Sequence, residues 1–132
     1  MDSRCEGAEE KRMIKKILNA KLHRVKVTGT ACDYEGSITI GKDALEASDI
    51  KPYESVLVAN ANNGQRFETY VMEGKSGEII VNGAAARLAS VGDRLIILSF
   101  AWIEEKDYQN HTPIVILFDD DNKIKKVLKI KL

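Results

Sequence analysis

The chain has 132 residues, 44% hydrophobic and 30% charged, with twenty basic side chains balanced by twenty acidic ones. That length suits one domain, which buries roughly two-thirds of the surface its unfolded chain exposes. The neutral balance gives no general attraction to nucleic acid or to an anionic membrane, and no apolar run approaches the ~20 residues that span a bilayer.

Residues 1–12 are polar, without the apolar core of a signal peptide, and read as a disordered leader ahead of a single domain over residues 13–132. Lys21 to Thr28 carries a mixed period-2 signal, Leu22, Arg24 and Lys26 alternating with Lys21, His23, Val25 and Val27. Ser37 to Ile40 is a short β-rich run. Lys42 to Ser48 is the best helix candidate. Ser55 to Ala59 reads as a buried strand, and Asn62-Asn63-Gly64 turns it into Arg66 to Met72 as a hairpin. Glu78 to Val81 is a further strand, and Ala84 to Ala89 a short helix. Gly92-Asp93 leads into the strong strand Arg94 to Phe100. Ile114 to Phe118 and Val127 to Leu132 are the last strands, separated by a polar loop over 119–126. The lysines at 123, 125, 126, 129 and 131 read as a solvated strand edge that discourages strand addition, and His111 as a surface residue in a loop.

Six or more short strands with two minor helices predict a mainly β chain closed into a small barrel rather than a doubly wound sheet. Phosphate-binding glycine motifs, a zinc-protease helix and internal repeats are absent from the sequence. Cys5 and Cys32 read as two reduced thiols, too few for a disulfide framework, and with two histidines they do not suggest a metal site. Reactivity must come from elsewhere.

One source is the Gly36-Ser37 peptide. A serine hydroxyl can attack the carbonyl before it, and glycine leaves that carbon uncrowded and tolerates strained angles. The resulting ester can eliminate to a dehydroalanine that hydrolyses to a pyruvoyl group at the front of residues 37–132. Such a ketone can form a Schiff base with an amine and accept electrons released by decarboxylation. Alone, Gly-Ser is a common dipeptide whose usual meaning is a turn.

Its surroundings carry more weight. Lys21-Leu22-His23-Arg24-Val25-Lys26-Val27-Thr28 with Tyr34-Glu35-Gly36-Ser37, then Asn63-Gly64-Gln65-Arg66-Phe67-Glu68-Thr69-Tyr70, Val81-Asn82-Gly83-Ala84-Ala85-Ala86 and Val91-Gly92-Asp93 occur in this order. The set resembles the pyruvoyl-dependent aspartate 1-decarboxylase family from Met13 to about Lys126. The resemblance implies a six-stranded double-psi β-barrel, self-cleavage between Gly36 and Ser37, and a homotetramer with active sites between subunits. It implies conversion of L-aspartate to β-alanine and CO2 for pantothenate synthesis in the cytoplasm. The cofactor it implies is a covalent pyruvoyl group made from Ser37, with no metal, no pyridoxal phosphate, and neither nucleic acid nor membrane as partner. Whether cleavage is spontaneous or needs a maturation factor stays open.

The same resemblance distributes roles. Ser37 becomes the reactive carbonyl, and Gly36 supplies the cleaved one. Thr69 polarises that carbonyl and later touches substrate. Tyr70 donates the proton after CO2 leaves, which a phenol can do at neutral pH. Arg66, a planar fork, and Lys21, a point charge, grip the substrate carboxylate. Backbone N–H groups at Gly83, Ala84 and Ala85 face an oxyanion or carboxylate. His23, Tyr34 and Asn82 support the site. Without the motif each residue is ordinary: solvated strand charges, a strand threonine, an amphipathic tyrosine, a tight turn.

Two other classes remain at this point. One is an uncleaved barrel serving as a binding module, since small barrels host many functions. The other is a pyruvoyl enzyme for a different amino acid, although paired cations at Lys21 and Arg66 repel a cationic substrate.

Overall fold

A computed structural model describes residues 12–33 and 35–131. Most of the expected leader, Cys5, Tyr34 and Leu132 lie outside the described residues. The elements in chain order are β1 (Ile14–Lys26), β2 (Gly29–Ala31), β3 (Ser37–Gly41), α1 (Lys42–Ser48), β4 (Ser55–Asn60), β5 (Arg66–Gly74) and β6 (Ile79–Asn82). A 3-10 turn (Gly83–Leu88), β7 (Arg94–Glu104), a second 3-10 turn (Glu105–Asn110), β8 (Ile114–Phe118) and β9 (Ile124–Lys129) follow.

The short helix α1 has the bounds its sequence predicts. It buries Ala44, Leu45 and Ser48 on one side, and the Ser48 hydroxyl bonds back to the Ala44 carbonyl at 2.7 Å. Asp49, at φ 61°, ends it in the left-handed conformation common after a helix.

The strands form one sheet in the order β2-β6-β3-β5-β4-β7-β1-β8-β9. This corrects the expected six strands to nine, in a ladder whose two end strands are not paired with each other. The additions have physical reasons. β2 is only three small or polar residues long, and β9 begins at Ile124, inside the stretch read as a loop. β9 is a mostly exposed edge, as its lysines predict.

The mixed pattern of β1 comes from a bulge. The pairing with β7 slips between His23 and Val25, and Arg24 sits at φ 65°. That extra residue lets Leu22 and Val25, three apart, both face the core, which strict alternation forbids. Past Lys26 the chain changes neighbours. The Val27 N–H donates to the Asp93 carbonyl at 2.9 Å, and the Thr28 N–H donates to Ile79 at 2.8 Å on the other half of the sheet. The sheet therefore wraps around one core. Leu22, Ile38, Ile40, Val56, Val58, Val71, Val81, Leu95, Ile97 and Ile116 from seven strands meet there with Ala44 and Leu45 of α1.

Candidate active site

Ser37 opens β3, and its neighbours Ile38 and Ile40 belong to the core. Side chains alternate along a strand, so Ser37 and Thr39 point to the opposite, outer face. The β3–β6 ladder pairs Ser37 with Asn82. The Asn82 amide donates to the Ser37 hydroxyl oxygen at 2.9 Å and to the Thr39 hydroxyl at 3.1 Å. Ser37 is 1% exposed and Asn82 4%. A nucleophile is thus fixed by a neutral donor and kept from water while its own proton remains free to leave.

Gly36 is exposed, and a Cβ built on it would meet no atom of the described residues within 4 Å. Its φ is not in the left-handed range, unlike Gly64, Gly77, Gly83 and Gly92. The intact peptide thus shows neither a close contact nor a left-handed angle at Gly36.

The parallel β3–β5 ladder begins at Ile38 with Val71. Ser37 and Tyr70 each stand one residue before that pair, and Gly36 and Thr69 each two before it. Tyr70 is directly paired with Ser55 of β4, and Thr69 with buried Val56. Thr69 therefore lies on the core side of β5, whereas Arg66, Glu68 and Tyr70 share the outer side.

Two rows cross the outer face through β5, β4, β7 and β1. One runs Arg66, Ala59, Ile96, His23; the other runs Glu68, Leu57, Leu98, Lys21. Lys21 and His23 are three strand spacings from β5, roughly 14 Å, and Arg66 is about 13 Å along β5 from Tyr70. Partly buried Leu57, Ala59, Ile96 and Leu98 lie between. One chain thus assembles Ser37, Asn82 and Tyr70 locally but holds Lys21 and His23 on the far side of an apolar strip.

The Nδ1 of His23 is buried without a hydrogen-bond partner among the described residues. Burial, followed by the Lys21 and Arg24 charges, holds its pKa below the ordinary imidazole value. It lines an open pocket of about 500 Å³ with Arg24, Arg94, Asp120 and Lys126. His111, expected at the surface, is instead partly buried. Its Nε2 lies 2.8 Å from the Leu18 carbonyl, so that nitrogen must carry the proton. Gly83, buried at φ 73°, starts the 3-10 turn directly after Asn82, with Ala84 exposed and Ala85 packed beside the core.

The sequence profile of the aspartate decarboxylase family matches residues 13–125. This chain belongs to the aspartate decarboxylase family. Proteins named aspartate 1-decarboxylase from Staphylococcus aureus strains MSSA476 and MW2 are each 50% identical over 121 residues, which is 90% of this chain and 95% of theirs. One from strain JH9 is 49% identical over the same share. Every candidate residue from Lys21 to Ala85 falls inside the stretch that defines family membership.

Sequence reasoning passed over two residues that adjoin these candidates. Thr39 shares the Asn82 amide with Ser37, and its position two residues on was a usable period-2 signal. Tyr53 stacks on Tyr70 with ring centroids 6.4 Å apart and planes at 24°. No strand or helix pattern marked it. Among the described residues no helix is long and apolar enough to cross a membrane.

Proposed function

We propose that this chain is a pyruvoyl-dependent aspartate 1-decarboxylase, forming β-alanine and CO2 from L-aspartate after cleaving its own Gly36–Ser37 bond. The observation that carries the reading is the buried Ser37 hydroxyl held by Asn82 beside an open Gly36. Family membership and the relatives' names support the substrate.

In the first step the Ser37 oxygen attacks the Gly36 carbonyl carbon, the C–N bond breaks, and an ester with a free Ser37 amine results. Loss of the Ser37 Cα proton expels the Gly36 carboxylate and leaves a dehydroalanine. Water then hydrolyses its imine tautomer, releasing ammonia. Burial of Ser37 favours the attack by keeping its hydroxyl from competing water.

The surroundings of Ser37 fit the pyruvoyl group that would follow: the position is small, buried and beside an amide donor. Bound there, the group would supply an electron sink for the pair left when CO2 departs. The remaining tasks belong to side chains. Tyr70 would donate a proton from the outer face. Arg66 and Lys21 would hold the substrate carboxylate that is retained, and the Gly83–Ala85 backbone would approach the other polar end. Thr69, facing the core, would act on the Gly36 carbonyl during cleavage.

Lys21 and His23 lie across the apolar strip from Tyr70, so a complete site would draw them from a second copy. This supports a homotetramer with sites between subunits, and the double-psi barrel would be the family form of the wrapped sheet. Cytoplasmic supply of β-alanine for pantothenate synthesis would be the role.

Denaturing mass spectrometry tests the reading. The expected products are residues 1–36 and a ketone-blocked fragment 37–132, with Ser37→Ala remaining one chain and making no β-alanine. An unbroken chain with unmodified Ser37 that still consumes aspartate would overturn it.

A further inference from the structure

Tyr53 combines three properties that rarely occur together. It is a bulky residue with φ at 71°, in the left-handed region where a Cβ crowds the following carbonyl. It is 74% exposed, so core packing does not explain the strain. Its ring lies over that of Tyr70, at a centroid separation typical of aromatic stacking.

The strain is held in place by a network. The Tyr53 N–H donates to the Val71 carbonyl at 2.6 Å, and the Val71 N–H returns a bond to the Glu54 carbonyl at 3.0 Å. The Glu54 carboxylate accepts from the Lys51 N–H at 3.1 Å and from the buried Ser99 hydroxyl of β7. The turn over 51–54 is therefore tied both to β5, next to Tyr70, and to the middle of the sheet. A backbone forced into an unfavourable angle by surrounding bonds, with its side chain delivered onto one neighbour, is the pattern expected where strain serves a site.

We propose that Tyr53 is a positioning residue whose stacked ring fixes the orientation of the Tyr70 phenol. Tyr70 is 37% exposed and stands on the open outer face of β5, where a lone phenol would sample several rotamers. Stacking on a ring whose backbone is tied removes that freedom, and proton delivery depends steeply on placement. This deepens the reading of Tyr70 as proton donor and rests on it.

The test uses the self-processed, full-length protein. Asparagine tolerates the left-handed conformation, so Tyr53→Asn removes the ring while keeping the turn. The expected result is a fall in kcat of about tenfold with KM for aspartate little changed. The extent of Gly36–Ser37 cleavage by mass, the assembly size and the Tm should be unaltered or, for Tm, slightly raised. Tyr53→Phe, which keeps the stack, should restore kcat.

Tyr70→Phe separates this inference from the reading beneath it. If Tyr70→Phe retains full activity, the proton-donor role falls and the inference with it. If Tyr70→Phe is inactive while Tyr53→Asn turns over normally, only the inference falls. A Tyr53→Asn protein that loses Tm, assembly or cleavage along with kcat would also overturn it, because the role would then be structural.

Discussion

The side-chain amide of Asn82 reaches across one strand pair to the Ser37 hydroxyl at 2.9 Å, and both groups are almost wholly buried. Removing the amide in Asn82→Ala leaves two hydroxyls, Ser37 and Thr39, without their donor. A buried hydrogen-bonding group left unpaired costs about 1–3 kcal/mol. The folded protein should therefore survive with a lower Tm, and cleavage at Gly36–Ser37 should slow because the nucleophile loses its fixed rotamer. Intact-mass measurements over time read the cleaved fraction. Cleavage at the parental rate would show that Asn82 is only a structural partner.

Gly36 makes a contrasting prediction. No atom of the described residues lies within 4 Å of a Cβ built there, and its φ lies outside the left-handed range. In a Ser37→Ala background, which keeps the chain whole, Gly36→Ala should be neutral or stabilising by up to about 1 kcal/mol through the unfolded chain. A marked drop in Tm would mean that glycine is structurally required here after all.

Arg66 stands exposed on the same face of β5 as Tyr70. It lies well away from Ser37 within one chain, so its substitution should leave cleavage untouched. Arg66→Ala should nevertheless lower kcat/KM for aspartate by roughly 10- to 100-fold, the worth of a charge-assisted bond to a carboxylate. Steady-state kinetics on fully cleaved protein decide this, and an unchanged kcat/KM would remove Arg66 from substrate binding.

Much of this arrangement was legible in the chain. The Lys42–Ser48 helix and the hairpin around Asn62-Asn63-Gly64 follow from local propensity and turn chemistry alone. The motif residues follow from order and spacing. What stayed hidden was set by tertiary contacts. Ile14–Leu18 of β1 pairs with Phe100–Glu104 in a ribbon that buries no residue fully on either face, so it shows no clean alternation. The Arg24 bulge scrambled the period of the rest. His111 lies in a loop as expected but looked like a surface residue, because its partner, the Leu18 carbonyl, is 93 residues away. Tyr53 carried no signal, since the bonds that hold its backbone reach Val71 of β5 and, through the adjacent Glu54, Ser99 of β7, both distant in sequence.

His23 predicts a pH dependence of stability. Its pKa is lowered in the folded chain, by burial first and then by Lys21 and Arg24. Below the ordinary value of 6.5 the unfolded chain takes up a proton that the folded one resists. Stability should therefore be full above that pH and fall as the pH drops toward the lower folded value, levelling off beneath it. His23→Gln should flatten this part of the profile in Ser37→Ala protein. A Tm profile identical in slope with and without His23 would show that other groups govern it.

Asn122 is the point where three distant segments are pinned together. Its side chain accepts from the Lys26 N–H at 2.7 Å and donates to the Lys26 carbonyl at 2.8 Å and the Gly77 carbonyl at 2.9 Å. It thereby ties the β8–β9 turn to the end of β1 and to the β5–β6 turn, just where β1 changes neighbours and the sheet begins to wrap. At φ 59° asparagine is also among the few side chains that accept the local backbone. Two substitutions separate these contributions. Asn122→Gly accepts the angle but loses all three bonds, whereas Asn122→Ala loses the bonds and strains the backbone by about 1–2 kcal/mol more. Both should lower Tm, alanine further than glycine, without changing the Ser37–Asn82 geometry. If glycine matched the parent, the three bonds would contribute nothing net, and the crossing from β1 to β6 would rest on the Thr28–Ile79 contacts and the β2–β6 ladder.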